Sequence, residues 1–599
     1  MSEESRARID SPQLTLRAVL TGMMIGGVLS LCNLYTGLKV GWGMGMSLTA
    51  ALIGYGFWQL MQLTGRVRPF GILETNLNQT AASSAAAISS AGLVAPIPAL
   101  TMITGQRLGW TELVVWTFSV SLVGIVVGVG LRRQLIVVDK LTFPSGVATG
   151  NTLLEIYSHG KAAAQRLWLL GGAALVAAAV KITEHVAKLE RLAIPGVISA
   201  KIGGGVEKAG LASYTPANLG FALEPTSMMY AVGALIGPRV GISMMLGAAI
   251  AWGWLAPHAF EAGWVPPGPA GPATSWYNAG LQWLLWPGVA MMVSAALTSF
   301  AFSWKAVVSA FRPGAGGQPE MEASAVVLTR KWFIVSITVV TGLSVILQTL
   351  FFDINPLIAT LGVLMTFLLA LVAARVSGET NITPVGAMGK VTQLAFAILS
   401  PGQPAANLMS ANVTGGAASQ CADLMHDFKT GHMLGARPRP QVIAQVCGAF
   451  AGALAGCAGY LILIKDPAKE LLTDKWPAPS VASWKAVAEL FQQGLNALPA
   501  GAAEGMIIGG VVGIVLAVLE KTLPKSAGNW VPSPTSLGLA FVIPAYNSIS
   551  MFLGAMVSWV LGRWVPDWTS RFLIILASGL IAGESLSGVA LAVMEILGG

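Results

Sequence analysis

Glu584 stands in Ala582-Gly-Glu-Ser-Leu-Ser-Gly588 with apolar-rich sequence on both sides. A carboxyl at such depth in an apolar run is expensive unless it faces a cavity or a partner. That makes it the first candidate for proton exchange. Glu379 and Glu224 are further candidates, with Glu504 behind them. Hydrogen bonding to neighbouring backbone is the alternative role for Glu584. In Asn33-Leu-Tyr-Thr-Gly-Leu-Lys-Val-Gly-Trp42, Lys39 lies between apolar runs, flanked by Gly37, Gly41 and Gly43. It suits the grip of a carboxylate; a lysine snorkelling from a helix end is the plain reading.

Three more clusters carry polar groups. Glu74-Thr-Asn-Leu-Asn-Gln-Thr80 offers an acid, amides and hydroxyls within two helical turns. Amides such as Asn76 and Gln79 both donate and accept, as a peptide backbone requires; glue between packed helices is the alternative. Asp139-Lys-Leu-Thr-Phe-Pro-Ser-Gly146 predicts a broken helix. Its new N-terminus at Ser145 would attract an anionic group, or simply cap a loop. Asp423, His426 and Asp427 fall at i, i+3 and i+4 on one helix face, with Lys429 close behind. A metal site, a proton relay and a water-exposed helix end all fit that spacing, so no metal ligand is assigned. Glu74 and Asp427 join Lys39, Asn76, Gln79, Ser145 and Lys429 as candidate substrate contacts.

The elements that must hold these groups are apolar and long. Hydrophobic residues make up 54% of the chain and charged residues only 10%, with a mean hydropathy of +0.69. Ordinary soluble domains carry about 25% charged residues, so lipid must solvate most of the exterior. Helix-length apolar runs extend from Leu16–Tyr35 to Phe572–Leu597. With the polar-interrupted stretches Asn76–Ile103, Asn218–Ile236 and Pro384–Ser410 they give about 14–16 spans on a 20-residue yardstick. The fold class is therefore an all-α, polytopic transmembrane bundle with broken helices. Runs of this length without alternation exclude a β-barrel.

The net charge of +8 is scattered through short loops, not gathered beside stacking aromatics, so no nucleic acid partner is expected. Membrane lipid is. The segment Met1–Pro12 lacks the pattern of a secretory signal. The first helix is thus expected to stay in a cytoplasmic (inner) membrane protein. Lys305, Arg312, Arg330 and Lys331 flank a Gly/Pro-rich linker, which places that linker in the cytoplasm. The region His258–Gly280, without Lys or Arg, is expected outside.

Four segments follow: a cytoplasmic tail 1–15, a first transmembrane half 16–312, a cytoplasmic linker 313–331 and a second half 332–599. Weak repeats relate the halves. Thr215–Leu223 resembles Ser533–Phe541, Ile242–Ala248 resembles Ile549–Ala555, and Glu74-Thr-Asn76 recurs as Glu379-Thr-Asn381. Such halves recur in transporter folds. There is no Walker A motif, no Ser/His/Asp order and no His-Glu-x-x-His, so neither an enzyme nor a cofactor is expected. The four cysteines, Cys32, Cys421, Cys447 and Cys457, match no redox or zinc spacing.

Several stretches carry a family resemblance. They are Tyr35-Thr-Gly-Leu-Lys-Val-Gly41, Asn76-Leu-Asn-Gln-Thr80, Phe143-Pro-Ser-Gly146, Asp427-Phe-Lys-Thr-Gly-His-Met-Leu-Gly-Ala-Arg-Pro-Arg-Pro-Gln441 and Gly583-Glu-Ser-Leu-Ser-Gly588. In that order the chain resembles the oligopeptide transporter (OPT) family, bacterial branch, related to yellow-stripe-like metal-chelate transporters. The resemblance implies secondary active, proton-coupled symport that imports oligopeptides or small peptide-like compounds. Metal-siderophore or metal-amino-acid chelates are the alternative cargo, and a homodimer is a further expectation. It places Lys39, Asn76, Gln79, Ser145, Asp427, Lys429 and Glu584 on the family's patterns. His426, His432 and Arg437 depart from them.

Overall fold

The structure, a computed structural model, describes residues 12–158, 160–200, 205–269, 271, 274–302, 327–381, 383–494 and 498–598. Most of the expected tail and of the 313–331 linker, with Lys305 and Arg312, lies outside the described residues. In chain order the helices run α1 (Leu16–Val40), α2 (Ser47–Gln62), α3 (Ile72–Ala86), α4 (Pro96–Thr104), α5 (Trp110–Arg132), α6 (Pro144–Ser158) and α7 (Gly160–Ala187). Next come α8 (Met228–Ile236), α9 (Pro238–Ile250), α10 (Tyr277–Phe302), α11 (Arg330–Phe352), α12 (Pro356–Thr380), α13 (Val385–Leu399) and α14 (Pro404–Leu434). The chain ends through α15 (Pro438–Leu463), α16 (Pro479–Gln493), α17 (Ala502–Thr522), α18 (Pro534–Ala540), α19 (Ala545–Trp564) and α20 (Pro566–Gly598). Proline opens α4, α9, α12, α14 and α16, where its missing N–H has no partner to lose.

Among the described residues, 12 helical stretches are long and apolar enough to cross a membrane. The protein is thus an all-α, multi-pass membrane protein. The expectation of about 14–16 spans also counted Met44–Leu63, Asn218–Ile236 and Pro384–Ser410, which lie outside that set. Helix α2, within the first, has only 16 residues, and α8, within the second, only 9. The interrupted stretch Asn76–Ile103 is α3, a 3-10 turn at Ala87–Ala91 and α4. Pro384–Ser410 divides into α13 and the start of α14.

The chain forms two compact units. The first holds Met1–Leu34, Trp42–Trp168 and Ser303–Leu463; the second holds Tyr35–Gly41, Leu169–Phe302 and Ile464–Gly599. Each unit therefore draws on both sequence halves. Both members of every repeated stretch fall in one unit; Ile242–Ala248 and Ile549–Ala555 are both helical, but the first pair differs in local structure. Ser533 caps α18 through Ser536 N, whereas Thr215 and Asn218 close a turn ahead of a short strand at Ala222–Leu223.

In the first unit, α14 is the axis, buried along nearly all its length. Helices α3, α5, α6, α12, α13 and α15 surround it. The second unit contains two short antiparallel ladders, Leu192–Ala193 with Ala222–Leu223 and Ile198–Ser199 with Ser213–Tyr214. Its core gathers Trp252, Phe260, Trp276, Tyr277, Trp283 and Phe541. The Trp252 indole N–H donates to the Ala540 and Ile543 carbonyls.

Small residues set the helix spacing in both units. Gly448, Gly452 and Gly456 recur every fourth residue along α15. A Cβ there would strike Ala81 O, Ala85 O and Ile88. Gly505, Gly509 and Gly513 do the same on α17 against Trp283, Pro287 and Met291 of α10. Lipid tails give no hydrophobic drive to helix association, so close approach must supply dispersion contact instead. Gly452→Val is expected to destabilise the protein by about 1–3 kcal/mol, as overpacking does. Gly510→Ala, which meets nothing within 4 Å, is expected to be silent. Thermal unfolding in detergent, followed by size-exclusion fluorescence, checks the pair; equal melting points would disprove the close-packing account.

Candidate functional site

Glu74, Asn76, Gln79, Ser145, Glu379, Asp427 and Lys429 belong to the first unit, and Lys39, Glu224 and Glu584 to the second. In the first unit, α3 carries Asn76, Gln79 and Ser83 on one face, at i, i+3 and i+7. Asp427 of α14 is fully buried. Its Oδ1 accepts from Ser47 Oγ at 3.2 Å, and Ser47 lies 2.9 Å from Ser83 Oγ. Gln79 stands beside the same carboxylate. Gln441 Nε2 donates to the Asp427 main-chain oxygen at 2.9 Å. The Asn76 amide, Gln79 Oε1 and Asp427 Oδ2 are buried without a hydrogen-bond partner among the described residues. Buried polar atoms in that condition are costly, so this cluster is sensitive to any added proton or polar group.

Glu74 is differently placed. Its carboxylate accepts from Arg17 Nη2 at 2.5 Å, Arg17 Nε at 2.9 Å, Thr15 Oγ1 at 2.7 Å and Arg68 Nη2 at 3.1 Å. It also accepts from the Gly71 N–H at the start of α3. This acid is held by an ion-pair network.

The break before α6 is present, with Lys140 and Phe143 at positive φ. Its N-terminus is met from within the protein. Ser145 N and Oγ donate to Asn381 Oδ1 at 2.9 and 2.7 Å. Lys429 donates to the Leu141 carbonyl in the same break, at 2.8 Å. Glu379 is exposed and pairs with Arg375 at 3.2 Å. Asp427 and His426 turn to different partners: His426 Nε2 meets Ser377 Oγ at 3.1 Å, and its ring packs edge-on to Phe143.

The second unit assembles a mixed-charge cluster. The Lys39 ammonium lies 5.6 Å from the Trp476 ring centroid, within cation–π range, and Tyr35 packs edge-on to the same indole. Glu224 and Glu584 act electrostatically on Lys39. Arg191 sits 3.7 Å above the Tyr546 ring. Its guanidinium is 3.9 Å from Glu224 and 3.7 Å from Asp474. Burial opposes that charge, but Tyr546, Glu224 and Asp474 outweigh it and hold the guanidinium above its ordinary value. Tyr546 Oη also donates to Asp474 Oδ1 at 3.1 Å.

Glu584 of α20 is buried and caps another helix. Its Oε2 accepts from Ser227 N at 2.8 Å, Ser227 Oγ at 3.0 Å and Met228 N at 2.6 Å, at the start of α8. Thr36 and Ser585 lie 3.3 Å apart and both donate to Met228 Sδ. Glu504 is exposed on the first turn of α17.

Sequence reasoning passed over Arg17, Asn381, Arg191, Asp474 and Tyr546. Arg17 carried a signal, a cation in the first turn of an apolar helix; the others acquire partners only across long sequence separations. Removing Arg17 leaves the buried Glu74 carboxylate short of charge. Arg17→Met is expected to destabilise the protein by about 3 kcal/mol. Adding Glu74→Gln should recover much of the loss. A double-mutant cycle on thermal unfolding reads the coupling, and additive losses would disprove it.

A family model described as "OPT oligopeptide transporter protein" matches residues 13–595. The chain is 24% identical to "Putative oligopeptide transporter YGL114W" of Saccharomyces cerevisiae, covering 96% of this chain and 95% of the yeast protein. It is 25% identical to "Metal-nicotianamine transporter YSL2" of Arabidopsis thaliana, over 96% and 92% of the two chains. A second Arabidopsis thaliana protein, "Metal-nicotianamine transporter YSL3", is 23% identical over 96% and 90%.

Proposed function

The chain belongs to the OPT oligopeptide transporter family, and from that premise we propose that it is a proton-coupled importer of oligopeptides or small peptide-like compounds in a cytoplasmic membrane. As a multi-pass member of that family it is a transporter, not an enzyme. The observation that carries the coupling reading is the Glu584 cap. All three donors to Oε2 come from Ser227 and Met228, at the N-terminus of one short helix. A carboxylate there is favoured by the helix dipole and by the free N–H groups. A proton on Oε2 removes that charge and loosens the start of α8. The protein thus acquires two states of different proton affinity, which a gradient biases. Lys39, Arg191, Glu224 and Asp474 bring charges of both signs into the same unit, and a zwitterionic solute needs both. In the first unit, Asn76, Gln79 and Asp427 form the second polar centre of the transport cycle.

The metal-chelate reading is favoured by the names of the Arabidopsis relatives. In that reading the solute is a metal–amino-acid chelate, and the carboxylates and cations of the second unit meet its charged groups.

Uptake by purified protein in liposomes separates these readings. Free and metal-loaded solutes are compared with and without an inward proton gradient. Gradient-stimulated uptake of a metal-free peptide is the expected result; uptake confined to the metal-loaded chelate would replace the peptide by the chelate. Glu584→Gln is expected to abolish stimulation by the gradient while solute exchange continues. An unchanged pH dependence in that variant would take Glu584 out of coupling.

A further inference from the structure

Away from the Glu584 cap, the second unit carries two cavities that share part of their lining. One, of about 390 Å³, lies between α10 and α16 and is lined by Asn278, Gln282, Lys485, Glu489 and Gln493 among apolar neighbours. The other, of about 480 Å³, is lined by Asn278 and Gln282 again, by Pro266–Pro269 and by Thr473, Asp474 and Lys475. The shared amides make the two cavities one groove. Asp474 and Lys475 line one end, Lys485 and Glu489 the other, and the amides stand between.

We propose that this groove binds an extended, zwitterionic peptide-like solute, with its ammonium at Asp474, its backbone on Asn278 and Gln282, and its carboxylate at Lys485. The chemistry of each position supports the assignment. Asn278 and Gln282 are exposed, one helical turn apart on α10, and their side chains make no hydrogen bond among the described residues. Residues at that spacing have Cβ atoms about 5–6 Å apart. An extended chain advances at most about 3.3–3.6 Å per residue. The two amides therefore reach backbone groups between one and two residues apart, and a tripeptide, with its two peptide units, is the shortest solute to engage both. Each amide offers a donor and an acceptor, so each pairs with a peptide unit whatever its side chain.

The charged ends are engaged but not saturated. Asp474 Oδ1 accepts from Tyr546, while Oδ2 has Arg191 at 3.7 Å, beyond hydrogen-bond distance. That oxygen is open to an ammonium. Lys475 at the same end is exposed and lies 4.0 Å from Glu595, which offsets its repulsion. Lys485 pairs with Glu489 at 2.6 Å, and an ammonium has three donors. Asp474 also joins the groove to the charge cluster beneath it. A solute ammonium at Oδ2 competes with Arg191, whose other carboxylate is Glu224. Occupancy of the groove is thereby felt at Glu224, three residues before Ser227 at the start of α8.

This inference rests on the peptide-transport reading for its solute class, and the tests separate the two. Uptake of labelled trialanine into liposomes is measured for the wild type and for Asn278→Leu/Gln282→Leu. The double variant is expected to raise KM about tenfold or more, since two hydrogen bonds are lost, with kcat unchanged; Asn278→Gln should retain most of the wild-type KM. Competition by N-acetyl-trialanine supplies a second readout. The wild type should prefer the free ammonium form, and Asp474→Asn should erase that preference. Uptake with an unchanged KM in the double variant, or a preference that survives Asp474→Asn, overturns the groove and leaves peptide transport standing. If the wild type takes up no trialanine, the peptide-transport reading falls, and equilibrium dialysis of labelled trialanine against the purified protein decides the groove. Binding lost in the double variant supports it; absence of binding by the wild type overturns it.

Discussion

Within lipid, a backbone or side-chain polar group finds no water, so each must be answered inside the protein. Helix α14 shows how far that requirement reaches. It carries Asn407, Ser410, Asn412, Thr414, Gln420, His426, Asp427 and Thr430, all buried. Its surroundings answer most of these groups, Asp427 Oδ2 excepted. Trp116 of α5 donates to Asn412, Thr366 of α12 meets Thr414, Gln420 reaches Ser84 of α3, and Thr430 donates to the Gly146 carbonyl of α6. The helices of the first unit are arranged around a polar element, with apolar residues turned outward. Such networks are high-stakes, because one missing partner leaves a charge or dipole stranded at low dielectric.

Close packing makes those short polar contacts reachable. The glycine ladders of α15 and α17 bring backbones together without side chains between them. Where α15 lies against α3, Ser84 Oγ reaches the Gln445 carbonyl at 2.7 Å. In the second unit the same device seats α10 against α17 around Pro287, and places Asn278 and Gln282 on a helix whose other face is core. Small residues therefore do more than fill space; they set the distance at which amides, hydroxyls and carboxylates meet.

Much of this is legible in the sequence, and the limits follow from range. Apolar length gives the spans. The depth of Glu584 in its run marks it as buried, which it is. Pro144 marks the break before α6. What the sequence does not carry is the partner. Nothing local says that Asn381 will occupy the N-terminus at Ser145, or that Arg17 will take Glu74. Arg191 lies in a short polar stretch, and its partners Asp474 and Tyr546 are hundreds of residues away. Helix α14 is the instructive case. Hydropathy passes over it because its residues are polar, yet it is buried along nearly all its length. Burial inside protein and exposure to lipid ask for different residues, and a single hydropathy scale merges them.

The interleaving of the two compact units bears on how the chain is made. Neither unit is a continuous stretch; the first closes only with residues up to Leu463, and the second needs the C-terminal helices as well as Tyr35–Gly41. Helices inserted early must wait in the bilayer while their later neighbours are synthesised. Polar groups of α3 such as Gln79 and Ser84, which lie beside Asp427, Gln420 and Gln445 in the finished protein, stay uncovered during that interval, since α14 and α15 have not yet emerged. Biogenesis of this transporter therefore has a long phase in which intramembrane polar groups that the finished protein buries lack their later partners.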